Sequence, residues 1–329
     1  SYDDELTATI YDNPELMKLI NEHQIEVNPK DMLGVRVGII NREGTELILK
    51  FKEHMPELAK LMPWADRYHQ SVSDGEELKQ TMVDVDLVAL TGDYAQCRGV
   101  ITTAQNLPNN DKLSIKTGGG RRNAYHRQVR KSADAERNRK LLEKLVAPEL
   151  HKYFDLEADH LFVIGHENGH SLGPDNEYQR ALGLHRSTIE EEKADTVSIA
   201  FMPEYVKAGV IDAETLKKIY TTWVVYRLFL KAQPLEAHRV GELIHFNFLH
   251  DNGAFYFDEN NKLHINFDRF HEVVFAMLKE TIEVQLSKSS EKAKAFIDKY
   301  TNWGKHSQYI AEVQKELGVK NYIVIKDYF

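Results

Sequence analysis

Apolar positions along this chain follow two rhythms. Leu33-Gly-Val-Arg-Val-Gly-Ile39-Ile40 alternates loosely and is rich in β-branched residues, which predicts a strand. Asp84–Thr91 (DVDLVALT) predicts a second strand and Gly99–Ala104 a third. Between the first two, Leu47, Ile48, Leu49, Phe51, Met55, Leu58 and Leu61 recur at helical spacing. Glu46–Leu61 therefore reads as one helix, ended by Met62-Pro63-Trp64. Asn106–Asp111 (NLPNND) reads as a turn-rich loop. Beyond it the rhythm is mostly helical, over 132–172, 187–202, 212–231, 235–250, 268–287 and 289–316. Ala254–Phe267 interrupts these; it alternates on both sides of Asn260-Asn261 and predicts a hairpin. The polar first 31 residues hold a short amphipathic helix around Leu16–Ile20, and 322–329 read as a final strand. The fold class expected is α+β. It is a single domain over 1–329, with a mixed β/α part over about 1–130 and a helical part over about 131–329.

Composition narrows the function classes. At 329 residues, with 42% hydrophobic and 28% charged positions, the chain can bury a substantial core. A net charge of −9 argues against nucleic acid as a partner. No apolar run approaches the length of a membrane span, so no membrane partner is expected; no secretory leader is visible at the start, which is Ser1 rather than Met. Cys97 is the one cysteine, which rules out an internal disulfide and fits a reducing, cytoplasmic setting.

The chemistry concentrates in Val163–Pro174, which contains His166-Glu167-Asn168-Gly169-His170. At about 100° per helical residue, His170 lies about 40° from His166, on one face and one turn away. The two imidazoles can bind one metal ion. Glu167, about 100° round, is badly placed as a co-ligand and well placed as a general base. With 15 His in the chain, a chance match of five residues is the competing reading. A catalytic zinc needs a third protein ligand and an open position. Ser187–Pro203 reads as a second helix, capped by Ser187 or Thr188 and ended by Pro203. On it, Glu191 and Asp195 share a face four residues apart. Glu191 can complete a Zn2+ site, and Asp195 can accept the N–H of a ligating His. A capping box, Ser187 with Glu190 or Thr188 with Glu191, is the alternative use of those acids. Thr117–Arg122 (TGGGRR) opens a basic stretch to Lys140. It lacks P-loop spacing and reads as a loop and a solvated basic helix, or else as a positive wall holding a substrate anion.

With both motifs in hand, the chain resembles the dipeptidyl peptidase III family of zinc metallopeptidases, peptidase family M49. The resemblance rests on HENGH at 166–170 and EEEKAD from Glu190 to Asp195. Two shorter stretches agree: Asp86-Leu-Val-Ala-Leu-Thr followed by Asn106-Leu-Pro-Asn109, and Leu61-Met-Pro-Trp64. It implies the catalytic half of that fold, a mostly helical zinc-binding part packed with a smaller mixed β-sheet part. It also implies one Zn2+ held by His166, His170 and Glu191, with Glu167 as general base and acid. Glu190 and Asp195 would support the ligands. His238, in Ala237-His238, would stabilise the oxyanion, and Asn106 and Asn109 would contact the substrate main chain. Members are about twice this long. The resemblance therefore implies a short form without the N-terminal lobe, its cleft closed by a homo-oligomer partner, the basic loop or the C-terminal tail. Glu242 stands where the family has an Arg, and Tyr94 is the nearest candidate for its catalytic Tyr. The expected function is zinc-dependent hydrolysis of short peptides. A non-peptide amide or other small molecule is the alternative substrate, and a binding protein with structural zinc is a third reading.

Overall fold

A computed structural model describes residues 34–70, 72, 81–92, 104–107, 122–126 and 135–318. The chain divides into two compact units, residues 1–45 with 79–127, and residues 46–78 with 128–329. The expected helix around Leu16–Ile20, the tail strand, Tyr94, Cys97, Asn109 and most of the basic stretch lie outside the described residues.

The first unit carries a four-stranded sheet: β1 (Gly34–Asn41), β2 (Thr81–Gly92), β3 (Ala104–Leu107) and β4 (Arg122–His126), in the order β1-β2-β4-β3. β1 and β2 pair antiparallel, with a register shift at Val37/Gly38; β2 and β4 are parallel, and β4 and β3 antiparallel. Two sequence expectations are corrected here. Asn106 and Leu107 lie in β3 and not in a turn, and Arg122–His126 is a strand where a loop and basic helix were expected. Neither segment alternates clearly. Each gains its extended form from pairing with the other, and Tyr125 is fully buried.

The second unit is helical. Helix α1 (Arg42–Glu53) starts directly after β1 and belongs to this unit from Glu46 on, and α2 (Met55–Leu61) follows it. One helix was expected here. Pro56, in the first turn of α2, has no N–H to continue the ladder of α1, so the chain breaks at His54. The same unit continues with α3 (Ala135–Leu145), α4 (Leu156–Gly169), the short α5 (Asn176–Arg180), α6 (Arg186–Lys207), α7 (Ala213–Tyr226) and α8 (Ala237–Asp251). A hairpin of β5 (Phe255–Phe257) and β6 (Leu263–Ile265) precedes α9 (Phe267–Leu286), α10 (Ser290–Tyr300) and α11 (Lys305–Leu317). The helix expected over 289–316 is thus two. Asn247 Nδ2 donates to the Tyr300 and Asn302 carbonyls at 2.7 and 2.9 Å, which satisfies the backbone where the helix stops.

α6 is the axis of this unit. It packs against α4, α7, α8 and α9, and Ala194, Val197, Ile199, Ala200, Phe201 and Met202 are buried on several of its sides. That burial overrides two local signals. Pro203 sits inside the helix rather than ending it, and α6 runs on to Lys207. Nor is there a side-chain cap at its start. A 3-10 turn over Gly183–His185 leads straight into it, so Arg186 N–H already bonds the Gly183 carbonyl, and Ser187 and Thr188 are not needed as caps.

Candidate metal centre

α4 is set by its own sequence. Asp155 caps it by accepting the Glu157 N–H at 2.9 Å, and Ala158, Leu161, Phe162 and Ile164 anchor it in the core. What brings it unusually close to α6 is glycine. A Cβ on Gly165 would fall 2.3 Å from Ser198 Oγ, and one on Gly169 2.7 Å from the Ala194 carbonyl oxygen. The two glycines, one turn apart, flank His166 and face two α6 positions also one turn apart. The close approach puts the His166/His170 face against the Glu191/Asp195 face.

There the side chains converge. His166 Nε2 and His170 Nε2 lie 3.1 Å apart. Glu191 Oε2 is 3.4 Å from the first and 3.7 Å from the second. The opposite ring nitrogens are both engaged. His166 Nδ1 meets Asp195 Oδ1 at 2.6 Å, and His170 Nδ1 meets Glu190 Oε1 at 2.9 Å. An ionised carboxylate only accepts, so each imidazole carries a proton on Nδ1 and turns Nε2 towards Glu191. Two ring nitrogens and a carboxylate oxygen then face one point, an arrangement that a shared proton or a cation would hold together.

The residues fit a metal ion. One ligand atom each from His166, His170 and Glu191 lies within 4.8 Å of the others. Glu191 Oε2 is buried without a hydrogen-bond partner. A tetrahedral ion about 2.0–2.1 Å from its donors needs them about 3.3–3.4 Å apart, close to the separations here. Electrostatics agree. Burial disfavours charge on Glu191, yet His170, His238 and His166 outweigh it and pull its pKa down to about 2. For Asp195, burial is likewise overcome, chiefly by Arg227 and His166, and its carboxyl titrates well below the usual range.

Glu167 is buried on the flank of this cluster. Its pKa is raised, mainly by burial, with the imidazoles of His166, His170 and His238 opposing. His238 stands in the first turn of α8, half-exposed, with Nδ1 3.4 Å from Glu191 Oε2. Glu236 caps that helix through the His238 and Arg239 N–H groups, fixing where the ring starts. Glu242 is held by Arg239 at 2.7 Å and by Arg227 at 3.8 Å. Asn106 belongs to the sheet unit, and only its backbone in β3 is described.

Sequence reasoning missed several residues here. Lys193 is completely buried, with Nζ 2.9 Å from Glu190 Oε1. Its spacing of three from Glu190 on a helix was the available signal. Gly165 and Gly169 could have been read as a small-residue pair flanking the first His. Arg227, 3.4 Å from Asp195 Oδ2, is remote in sequence and gave no signal.

No protein-family model matches the chain. Among curated proteins it is similar to Nudix hydrolase 3 of Arabidopsis thaliana, 22% identical over 275 residues, which is 80% of this chain and 34% of that protein. Among solved structures the fold is similar to DPP III from Caldithrix abyssi, with a TM-score of 0.74, 22% identity, and coverage of 87% of this chain and 58% of that one. It is equally similar to dipeptidyl-peptidase III from Corallococcus sp. strain EGB, with a TM-score of 0.74, 20% identity, and coverage of 86% and 53%. The chain thus spans about half the length of these solved relatives and a third of the curated one. Its fold is the α+β fold of the two solved structures, mostly helical with small sheets.

Proposed function

We propose that the chain is a zinc-dependent hydrolase of peptide bonds. The observation that carries this is the convergence of His166 Nε2, His170 Nε2 and Glu191 Oε2 beside the buried Glu167. Two imidazoles and one carboxylate suit Zn2+, and three protein ligands leave a position open. A zinc ion there would supply Lewis acidity and lower the pKa of a bound water towards about 7.

The chain's own residues do the rest. Asp195 and Glu190 accept the Nδ1–H groups, fixing tautomer and ring orientation. Glu167 takes a proton from the attacking water on its carboxylate and returns it to the leaving amine; its raised pKa suits both halves of that task. His238 offers a donor at the rim for the oxyanion. The names of the relatives agree on hydrolysis, and both solved structures are dipeptidyl peptidases. Asn106 and Asn109 are the proposed main-chain contacts, on the strength of the Asn-x-Pro-Asn resemblance.

A second reading, hydrolysis of a non-peptide amide or other small molecule, draws support from Glu242. It is an acid where the resemblance leads one to expect an Arg, and it pairs with Arg227 and Arg239.

One experiment separates these. Wild type and Glu167→Gln at equal zinc content are offered a defined peptide set and a metabolite panel, with products read by mass. Peptide turnover by wild type and a loss of about 10²–10⁴-fold in the variant is the expected result. Equal rates would remove Glu167 from the mechanism, and turnover confined to metabolites would favour the second reading.

A further inference from the structure

Behind each metal-facing imidazole stands a carboxylate, and behind each carboxylate a buried cation. On one side Arg227 Nη2 lies 3.4 Å from Asp195 Oδ2, while Asp195 Oδ1 takes His166 Nδ1–H at 2.6 Å. On the other, Lys193 Nζ lies 2.9 Å from Glu190 Oε1, the oxygen that takes His170 Nδ1–H at 2.9 Å. The Lys193 side chain is 0% exposed and that of Arg227 7%.

Both cations are themselves held. Lys193 donates to the Leu172 carbonyl at 2.7 Å, in the turn that ends the first metal-binding helix. Arg227 lies 4.8 Å from the Trp223 ring centre and 5.7 Å from that of Phe162. The far oxygen of Glu190 is also engaged, by Gln179 at 2.8 Å. Every oxygen of Asp195 and Glu190 thus has a partner.

The energetics make this arrangement informative. Taking an ammonium or guanidinium out of water is costly, pairing repays that cost only with good geometry, and apolar residues would fill the same space without it. A carboxylate on a rotatable side chain steers an imidazole only as firmly as it is itself pinned. Four carboxylates, from Glu167, Glu190, Glu191 and Asp195, crowd α4 and the first turns of α6, and like charges within reach push one another into other rotamers. A fixed cation on each steering carboxylate removes that freedom.

We propose that Lys193 and Arg227 are positioning residues of the metal centre, each locking the carboxylate that aims one ligating imidazole. The inference rests on His166, His170 and Glu191 being the metal ligands. It adds two residues that touch neither metal nor substrate.

The test measures Zn2+ affinity of the full chain by competition with a chelator, beside the thermal midpoint of the metal-free protein. Arg227→Gln and Lys193→Met are each expected to weaken zinc binding about 10- to 100-fold. A double-variant cycle distinguishes steering from general packing. On an Asp195→Asn background, Arg227→Gln is expected to change zinc affinity little further, because the group it acts through is already altered. Arg227→Lys and Lys193→Arg keep the charge and are expected to recover most of the affinity; they carry the test if the neutral variants do not fold. Failure of wild type to bind zinc, or equal binding by His166→Ala, would overturn the metal reading itself. Zinc binding by wild type that is unchanged or tighter in both neutral variants, or fully additive losses in the cycle, would overturn the positioning roles and leave the metal reading standing.

Discussion

Gly169 touches the backbone of Ala194: a Cβ on the glycine would come within 2.7 Å of the Ala194 carbonyl oxygen and 3.0 Å of its Cα. No rotamer change relieves a clash with backbone, so Gly169→Ala must part α4 from α6. Overpacking of this kind costs about 1–3 kcal/mol, of which up to about 1 kcal/mol is recovered from the better helix propensity of Ala. Gly165→Ala meets Ser198 Oγ and Met202 Cε, which can rotate away at the cost of the Ser198–Phe162 hydrogen bond, and Ser198 Cβ only at 3.0 Å. Urea unfolding is expected to rank Gly169→Ala as the more destabilised. Zinc affinity should fall with it, because the proposed ligands sit on both helices. A Gly169→Ala protein as stable as wild type would show that the contact is not tight.

His238 contributes no ligand atom to the three-residue cluster, yet its Nδ1 lies 3.4 Å from Glu191 Oε2. If it stabilises developing negative charge, His238→Phe should keep zinc stoichiometry and KM near wild type. It should lower kcat by about 10²–10³-fold, the usual loss for one oxyanion donor. Loss of zinc from the variant would instead mark His238 as part of the metal grip.

Asp155 starts the helix that carries the first motif, and Lys218 lies 3.0 Å from its Oδ2. Asp155→Ala should cost about 1 kcal/mol at neutral pH, from the lost cap. The partner contacts offset burial and lower the pKa of Asp155 in the folded protein. A carboxyl lowered on folding stabilises above its unfolded pKa, and that stabilisation fades as pH falls through the folded value. Asp155→Asn keeps a capping oxygen without the charge. Its deficit against wild type, followed by thermal melts, should therefore be present at pH 7 and vanish in strong acid.

Glu192 and His245, 3.9 Å apart and wholly buried beneath the site, give opposite pH signatures. Burial pushes the Glu192 carboxyl up to about 8 from an ordinary 4.5, so the folded state holds a proton that the unfolded chain releases. Its stabilisation is full below pH 4.5 and is lost as pH rises towards 8. Burial, aided by Arg227, drives His245 down to about 3 from 6.5, so only the unfolded chain gains a proton between those values. Stability falls there as pH drops from 6.5 towards 3. On metal-free protein, Glu192→Gln should flatten the alkaline side of the stability profile and His245→Asn the acid side. Profiles parallel to wild type in both would refute the assignment.

What could be read in the sequence followed from local rules. The helix rhythm, the hairpin around Asn260-Asn261 and the α+β class are features of neighbours in the chain, and the spacing in the two motifs makes His166, His170 and Glu191 candidates that the structure brings together. The misreadings share a cause in tertiary context. Pro203 looked like a stop because the burial that carries α6 past it comes from α4, α8 and α9. The 3-10 turn that makes a Ser187 cap unnecessary has no such signature. The break after Tyr300 is stabilised by Asn247, more than fifty positions away. Arg227 is the clearest case, since an arginine at the end of one helix acquires its meaning only when a second helix sets Asp195 beside it.

The donor atoms of the centre, and the groups that brace them, all belong to the helical unit, on α4, α6 and the ends of α7 and α8. If the proposed ion binds, its whole grip comes from one unit, so substitutions confined to the sheet unit leave the donor set and its braces unaltered.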